Sequence, residues 1–82
     1  MKKCFSVYDS KAQVFSNPFF SLTTMTALRD FQSAALDSNT QIAQYPEDFV
    51  LYEIGAFDDE KGTLVSCLPV NLGTADQFTV KG

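Results

Sequence analysis

The strongest strand pattern of the chain lies at residues 49–57, where β-branched and aromatic side chains predominate and only Glu53 is charged. Such a pattern predicts a strand that is buried on both faces. The next five residues, from Asp58 to Gly62, are typical of a tight turn with Gly62 in the left-handed conformation. Residues 63–68 are again mostly apolar or β-branched. The pattern therefore predicts an antiparallel hairpin over residues 49–68.

Residues 24–37 show the spacing of apolar side chains that is typical of a helix. Leu28, Phe31 and Ala35 recur at the spacing of one helix face, and two threonines just before them are good N-caps. This spacing predicts one amphipathic helix over about 24–37. A short helical turn is expected around 40–44.

Residues 3–8 alternate partially and include β-branched and aromatic side chains, which predicts a first strand. Pro18 favours a loop through residues 15–20, because proline disfavours helix in the preceding residue. The tail, 69–82, either adds an edge strand around 77–80 or forms a loosely held arm. The predicted fold is α+β, a small antiparallel or mixed sheet of three to four strands covered by one amphipathic helix.

The strand at 49–57 predicts more apolar surface than one helix can cover. Strict alternation places its residues on two faces, Val50, Tyr52, Ile54 and Ala56 on one and Phe49, Leu51, Gly55 and Phe57 on the other. An uncovered apolar face is typical of an interface, so we expect a homodimer. The alternative is cover from the tail, through Leu72, Phe78 and Val80.

Composition limits the classes of protein to consider. The 82 residues predict a single domain, 1–82, and an apolar content of 45% predicts a folded chain. The net charge of −4 opposes undirected binding to nucleic acid or anionic lipid. The apolar run after the first lysines ends at Tyr8-Asp9, too early for an export signal, and none is long enough to span a membrane. We expect a soluble, intracellular protein with no membrane contact.

Catalytic and metal-binding chemistry has little support in the residue types. The chain has no histidine, and its two cysteines, Cys4 and Cys67, lack metal or redox spacing, so we expect buried free thiols. The acidic cluster could hold Mg²⁺ in a nuclease, but Asp58–Glu60 suits a solvated hairpin turn better. The glycines are too dispersed for a phosphate loop. We therefore expect neither an enzyme nor a cofactor.

The basic residues suggest a local site. Lys2, Lys3 and Lys11 fall within the first eleven residues, and Arg29 lies on the predicted helix. If the first strand lies at a sheet edge, these lysines form a positive rim beside Phe5 or Tyr8, an arrangement that holds single-stranded nucleic acid. Solvated charges that protect an edge strand are the alternative.

Two adjacent aromatic residues follow Asn17-Pro18. Phe19 and Phe20 either fold back over the core or stand out and stack on a base or a partner. Both interpretations remain open from the sequence.

Several motifs in fixed order resemble one family. They are Phe5-Ser6-Val7-Tyr8-Asp9-Ser10-Lys11-Ala12, Pro18-Phe19-Phe20, Ala27-Leu28-Arg29, Pro46-Glu47-Asp48-Phe49 and Glu53-Ile54-Gly55-Ala56-Phe57-Asp58-Asp59. Over residues 4–68 the chain resembles the small nonstructural protein of gokushoviruses, which are icosahedral phages with single-stranded DNA. The resemblance implies a phage accessory protein of the host cytoplasm, linked to viral DNA synthesis or packaging, without a catalytic motif.

Two functions follow from these observations. The first is weak binding of single-stranded DNA by a homodimer, through Lys2, Lys3, Lys11 and Arg29 with help from Phe19 and Phe20. The second is an interaction module that binds a viral or host replication or assembly protein without touching DNA. Its acidic side, Glu47, Asp48 and the 58–60 turn, would then meet a basic partner.

Overall fold

A computed structural model describes residues 1–79 of the chain. Its elements are, in order, β1 (Lys2–Asp9), β2 (Val14–Phe15), β3 (Phe19–Ser21), α1 (Thr24–Leu36), α2 (Gln41–Gln44), β4 (Phe49–Asp58), β5 (Thr63–Thr74) and a 3₁₀ helix at Ala75–Phe78. All strand pairs are antiparallel. The predicted α+β class, one sheet with one main helix, is confirmed.

The sheet has the order β2-β1-β4-β5, and β3 also pairs with β1. Because β4 pairs along the whole of β1, β2 and β3 share the other edge of β1. The predicted loop at 15–20 is therefore wrong in part, since Phe19 and Phe20 pair with Phe5 and Cys4. Pro18 interrupts the strand pairing only near its own position. The residues before and after it form hydrogen-bonded pairs with β1, and a local sequence pattern does not predict such long-range pairing.

Helix α1 agrees with its prediction to within one residue. The Thr23 side chain accepts a hydrogen bond from the Thr26 backbone N–H, and the Thr26 side chain caps Thr23 in return. The helix ends where Asp37 takes an extended conformation. The short turn at 40–44 is also present as α2, whose N-cap is Thr40.

The predicted β4–β5 hairpin is confirmed. Gly62 has a φ of 66°, and its N–H donates to the Asp58 carbonyl oxygen at 2.7 Å. The β1–β2 turn repeats this arrangement, because Gln13 has a φ of 57° and donates to the Asp9 carbonyl oxygen at 2.7 Å. In both turns the aspartate side chain accepts backbone hydrogen bonds from residues two and three positions later.

The tail differs from both predictions. β5 continues to Thr74, and residues 75–78 form a 3₁₀ helix, so there is no edge strand at 77–79. Val80 lies outside the described residues. Leu72 and Phe78 pack against the core that includes Phe31 of α1, so they cover the helix side of the sheet and not its other face.

The core lies between α1 and one face of the sheet. Its members are Phe5, Ala27, Phe31, Ala35, Leu51 and Ala75. Phe5 and Leu51 are fully buried there. Burying two such side chains contributes on the order of 4 kcal/mol to the free energy of folding.

Strict alternation along β4 is wrong beyond Glu53. Glu53 pairs with Phe5 and Gly55 with Cys4, so Ile54 is an extra residue in a bulge. One extra residue moves every later side chain to the opposite face. The predicted burial of both thiols is also wrong in part, because Cys4 is buried but Cys67 is exposed.

Candidate nucleic-acid interface

The face of the sheet opposite α1 carries a series of aromatic side chains. The strand register places four of them directly opposite β1 residues of that face, with Phe57 opposite Lys2, Phe20 opposite Cys4, Tyr52 opposite Ser6 and Phe15 opposite Tyr8. Directly opposed residues of an antiparallel pair share a face. We call the set Tyr8, Phe15, Phe20, Tyr52 and Phe57 the aromatic face.

The rings of the aromatic face form two groups. In the first, ring centroids are 4.7 Å apart between Tyr8 and Phe15, 5.5 Å between Phe15 and Tyr52, and 6.2 Å between Tyr8 and Tyr52. In the second, the Phe20 and Phe57 centroids are 5.9 Å apart. Phe15 and Phe20 are exposed by 44% and 46%, so each group presents at least one open ring.

Between the two groups of rings, hydrogen bonds join β1 to the segment that links β2 and β3. The Ser6 hydroxyl is buried and donates to the Ser16 carbonyl oxygen at 2.8 Å. The Val7 N–H donates to the Ser16 hydroxyl at 3.0 Å. Ser16 thus ties the segment between β2 and β3 to β1, which holds Phe15 and Phe20 in place on either side.

A groove with an apolar lining adjoins the Phe20 group. It has a volume of about 230 Å³ and is lined by residues that include Cys4, Phe20, Gly55 and Leu64. Burial, and secondarily the neighbouring Cys67 thiol, raises the pKa of the Cys4 thiol above its ordinary value. Cys4 therefore stays a protonated, apolar part of this surface at neutral pH.

The predicted basic residues are not gathered in one place. Lys2 shares the aromatic face by strand alternation, whereas Lys3 lies on the helix side. There the Lys3 ammonium donates to the Thr24 hydroxyl at 3.2 Å and lies 3.8 Å from the Glu53 carboxylate. Lys11 is in the β1–β2 turn, at the other end of β1 from Lys2, and lines a groove with Asp9 and other residues.

Arg29 is exposed on α1, away from the aromatic face. The two predicted phenylalanines also separate. Phe19 packs against the core and stacks on Phe5 with a centroid distance of 5.7 Å, while Phe20 belongs to the aromatic face. The participation of these residues in DNA binding remains a prediction.

Comparison with known proteins supplies the family. Residues 2–78 match the model described as Phage ORF5 protein. This chain belongs to the Phage ORF5 protein family. It is also similar to Protein ORF5 of Chlamydia phage 1, a gokushovirus, with 36% identity over 73 residues that make up 84% of this chain and 73% of the relative. No solved structure matches the chain.

The gokushovirus resemblance read from the motifs is thus confirmed, and the chain is a bacteriophage protein. Residues 1–79 contain no cluster of three acidic, cysteine or histidine side chains placed to hold a metal ion. No helix in that part is long and apolar enough to cross a bilayer.

Three residues of the aromatic face, Phe15, Tyr52 and Phe57, were not among the binding residues predicted from the sequence. Tyr52 could have been found, since it alternates with Leu51 on a predicted strand. Phe57 could not, because the bulge at Ile54 moves it to the other face. Phe15 lies in a segment predicted as loop, and only pairing with Tyr8 brings it into the group.

The acidic residues predicted to bind a basic protein partner do not lie together. Glu47 and Asp48 precede β4, whereas Asp59 and Glu60 follow it. A strand of ten residues, Phe49–Asp58, lies between them. At about 3.3 Å per residue the two groups are roughly 30 Å apart.

Proposed function

We propose that this phage protein is a non-catalytic accessory protein that binds single-stranded DNA weakly across the aromatic face, in the host cytoplasm during viral DNA synthesis or packaging. The aromatic face is the observation that carries the proposal. Aromatic side chains on an open sheet are a common platform for unpaired bases, and each stacked base contributes about 1–3 kcal/mol to binding. Stacking of this kind tolerates any base sequence.

Charge makes this binding weak and only slightly dependent on salt. The register places the cation Lys2 on the aromatic face, and the chain carries a net charge of −4. Each neutralised phosphate of a single strand changes the logarithmic salt slope by about −0.7. Contacts from one or two cations give a slope of about −0.7 to −1.4, whereas all four predicted cations would give about −3.

Titration of a labelled oligodeoxythymidine at two salt concentrations tests the proposal. Phe15→Ala should weaken binding by about tenfold, because an exposed stacking ring is lost. Tyr45→Ala is the matched control, since Tyr45 is 58% exposed and lies outside the aromatic face, in the groove that Lys11 also lines. Circular dichroism establishes that both variants fold.

Absence of binding at low salt, or equal loss in the Phe15 and Tyr45 variants, would contradict the proposal. The protein-interaction alternative has weaker support from the geometry, because its acidic residues lie at opposite ends of β4.

A further inference from the structure

The last strand of the sheet has an apolar surface and a free edge. β5 ends the strand order, so one of its sides pairs with no other strand of the described residues. Every residue from Thr63 through Asn71 is exposed. Exposure reaches 73% at Leu64, 49% at Val65, 88% at Leu68 and 49% at Val70. Such an edge is a template for pairing with a strand of another chain.

The two edges of the sheet are protected very differently. The far edge consists of β2 and β3, which have two and three residues and are separated by Pro18. Short strands and proline are the usual protection of an edge. β5 has 12 residues and no charged side chain. Its proline, Pro69, lies in the bulge opposite Ile54, so residues 63–66 form a regular ladder with β4.

We propose that β5 pairs antiparallel with β5 of a second copy of this chain about a two-fold axis. A strand paired with itself in this way is complementary by symmetry, since each contact occurs twice. Leu64 and Val65 lie opposite Phe57 and Ala56, on the two faces of the sheet. The joined sheet would therefore bury apolar side chains on both faces.

The absence of charged side chains on β5 favours a second copy of the same strand over a charged occupant of this edge. The chain carries a net charge of −4, and the acidic residues of the hairpin, Asp59 and Glu60, lie in the turn before β5. Antiparallel pairing sends the two turns in opposite directions, so they do not repel each other at the contact. The uncharged strand offers no cation to a phosphate backbone and no carboxylate to a basic partner.

The exposed area also fits a dimer. The accessible surface is 5483 Å², whereas a monomeric protein of 9.1 kDa exposes about 4,900 Å². The radius of gyration is 12.9 Å, against about 11.7 Å for a compact chain of this length. The chain thus exposes roughly 600 Å² more than a compact monomer of its mass, and the exposed apolar residues of β5 contribute to this surplus.

Sedimentation equilibrium at micromolar concentration is the first test, and it is independent of DNA binding. The unmodified chain should have twice the monomer mass of 9.1 kDa. Leu64→Glu combined with Leu68→Glu should give the monomer mass, because two charges would be buried in the contact. Leu22→Glu is the matched control, since Leu22 is 71% exposed but precedes α1, and it should remain dimeric.

Disulfide cross-linking provides a second test that does not require a destabilised variant. In a chain that carries Cys4→Ala and Cys67→Ser, single cysteines are introduced in turn from Thr63 to Leu68 and oxidised with copper phenanthroline. The yield of linked dimer should peak at one position, because only residues at or next to the axis have Cα atoms within about 4.4–6.8 Å of each other. A monomeric unmodified chain, a dimer that survives the Leu64 and Leu68 changes, or no peak along the strand would each overturn the proposal.

Discussion

Gly55 and Val65 approach each other so closely that no side chain fits between them. A Cβ atom on Gly55 would lie 2.2 Å from the Val65 carbonyl oxygen, well inside van der Waals contact. Gly55 therefore allows β5 to pair with β4 just beyond the bulge at Ile54. Because the obstacle is backbone, a rotamer change cannot relieve it.

Gly55→Ala should lower the free energy of unfolding by about 1–3 kcal/mol, the usual cost of overpacking. Ser66→Ala is the control, since it removes an exposed hydroxyl from the adjacent residue of β5. Urea unfolding measures both. Equal midpoints for Gly55→Ala and the unmodified chain would mean that β5 does not lie against Gly55 as described.

In the two hairpin turns, replacing glycine by glutamine and glutamine by glycine should change the stability in opposite directions. Gln13 and Gly62 occupy equivalent left-handed positions, and a Cβ atom on Gly62 would have no other atom within 4 Å. Gly62→Gln should cost about 1 kcal/mol, while Gln13→Gly should be neutral or stabilise the chain by up to about 1 kcal/mol. Gly62→Val should be worse than Gly62→Gln, because β-branched residues tolerate this conformation least.

Thermal unfolding monitored by circular dichroism separates these variants. An unchanged midpoint in Gly62→Val would count against the turn assignment. A marked loss of stability in Gln13→Gly would show that the Gln13 side chain, and not its backbone, matters in the first turn.

Charge reversal tests the predicted basic residues. Lys2, Lys3 and Lys11 changed together to glutamate should abolish oligonucleotide binding. Lys2 and Lys11 are exposed charges that contribute little to folding, whereas Lys3→Glu sets a carboxylate beside Glu53, so circular dichroism must establish that the triple variant folds. Since the register places Lys2 on the aromatic face, Lys2→Glu alone should account for most of the loss. Lys61→Glu, in the turn between β4 and β5, is the matched control.

Binding that survives the triple change would place the DNA site elsewhere on the chain. A loss that comes only from Lys3→Glu would point to the helix side of the sheet, where Lys3 contacts Thr24 and Glu53.

The Cys4 thiol should be protected by the fold. In a Cys67→Ser chain, Cys4 should react with a disulfide reagent at least about tenfold more slowly when folded than in urea, because it is buried and its pKa is raised. The raised pKa also sets a pH dependence. The pKa of the unfolded thiol lies below that of the folded one, so this contribution to stability is complete at neutral pH and is lost as the pH rises through the unfolded and then the folded pKa.

The midpoint of unfolding, measured between neutral and alkaline pH, shows whether stability falls with pH as expected. The Cys4→Ala variant gives the pH dependence that comes from all other titrating groups. A steeper alkaline decline in the chain that keeps Cys4 is expected. A folded Cys4 that reacts as fast as the unfolded one would contradict its burial.

Local sequence determined the regular elements of this protein. The spacing of Leu28, Phe31 and Ala35 is sufficient for α1, and Asp58 with Gly62 is sufficient for the hairpin, because these signals act through hydrogen bonds and backbone preferences within a few residues. The motifs around them were sufficient to indicate the family. None of these inferences needed a long-range contact.

The candidate site was decided by tertiary structure. Phe15 and Phe20 join the aromatic face because they pair with Tyr8 and Cys4 across β1, and Phe57 joins it because the bulge at Ile54 reverses the alternation. A bulge depends on how two strands fit each other, so the pattern of one strand cannot reveal it. For the same reason, residues 69–74 extend β5 only because β4 offers them hydrogen-bond partners over its first half, despite Pro69.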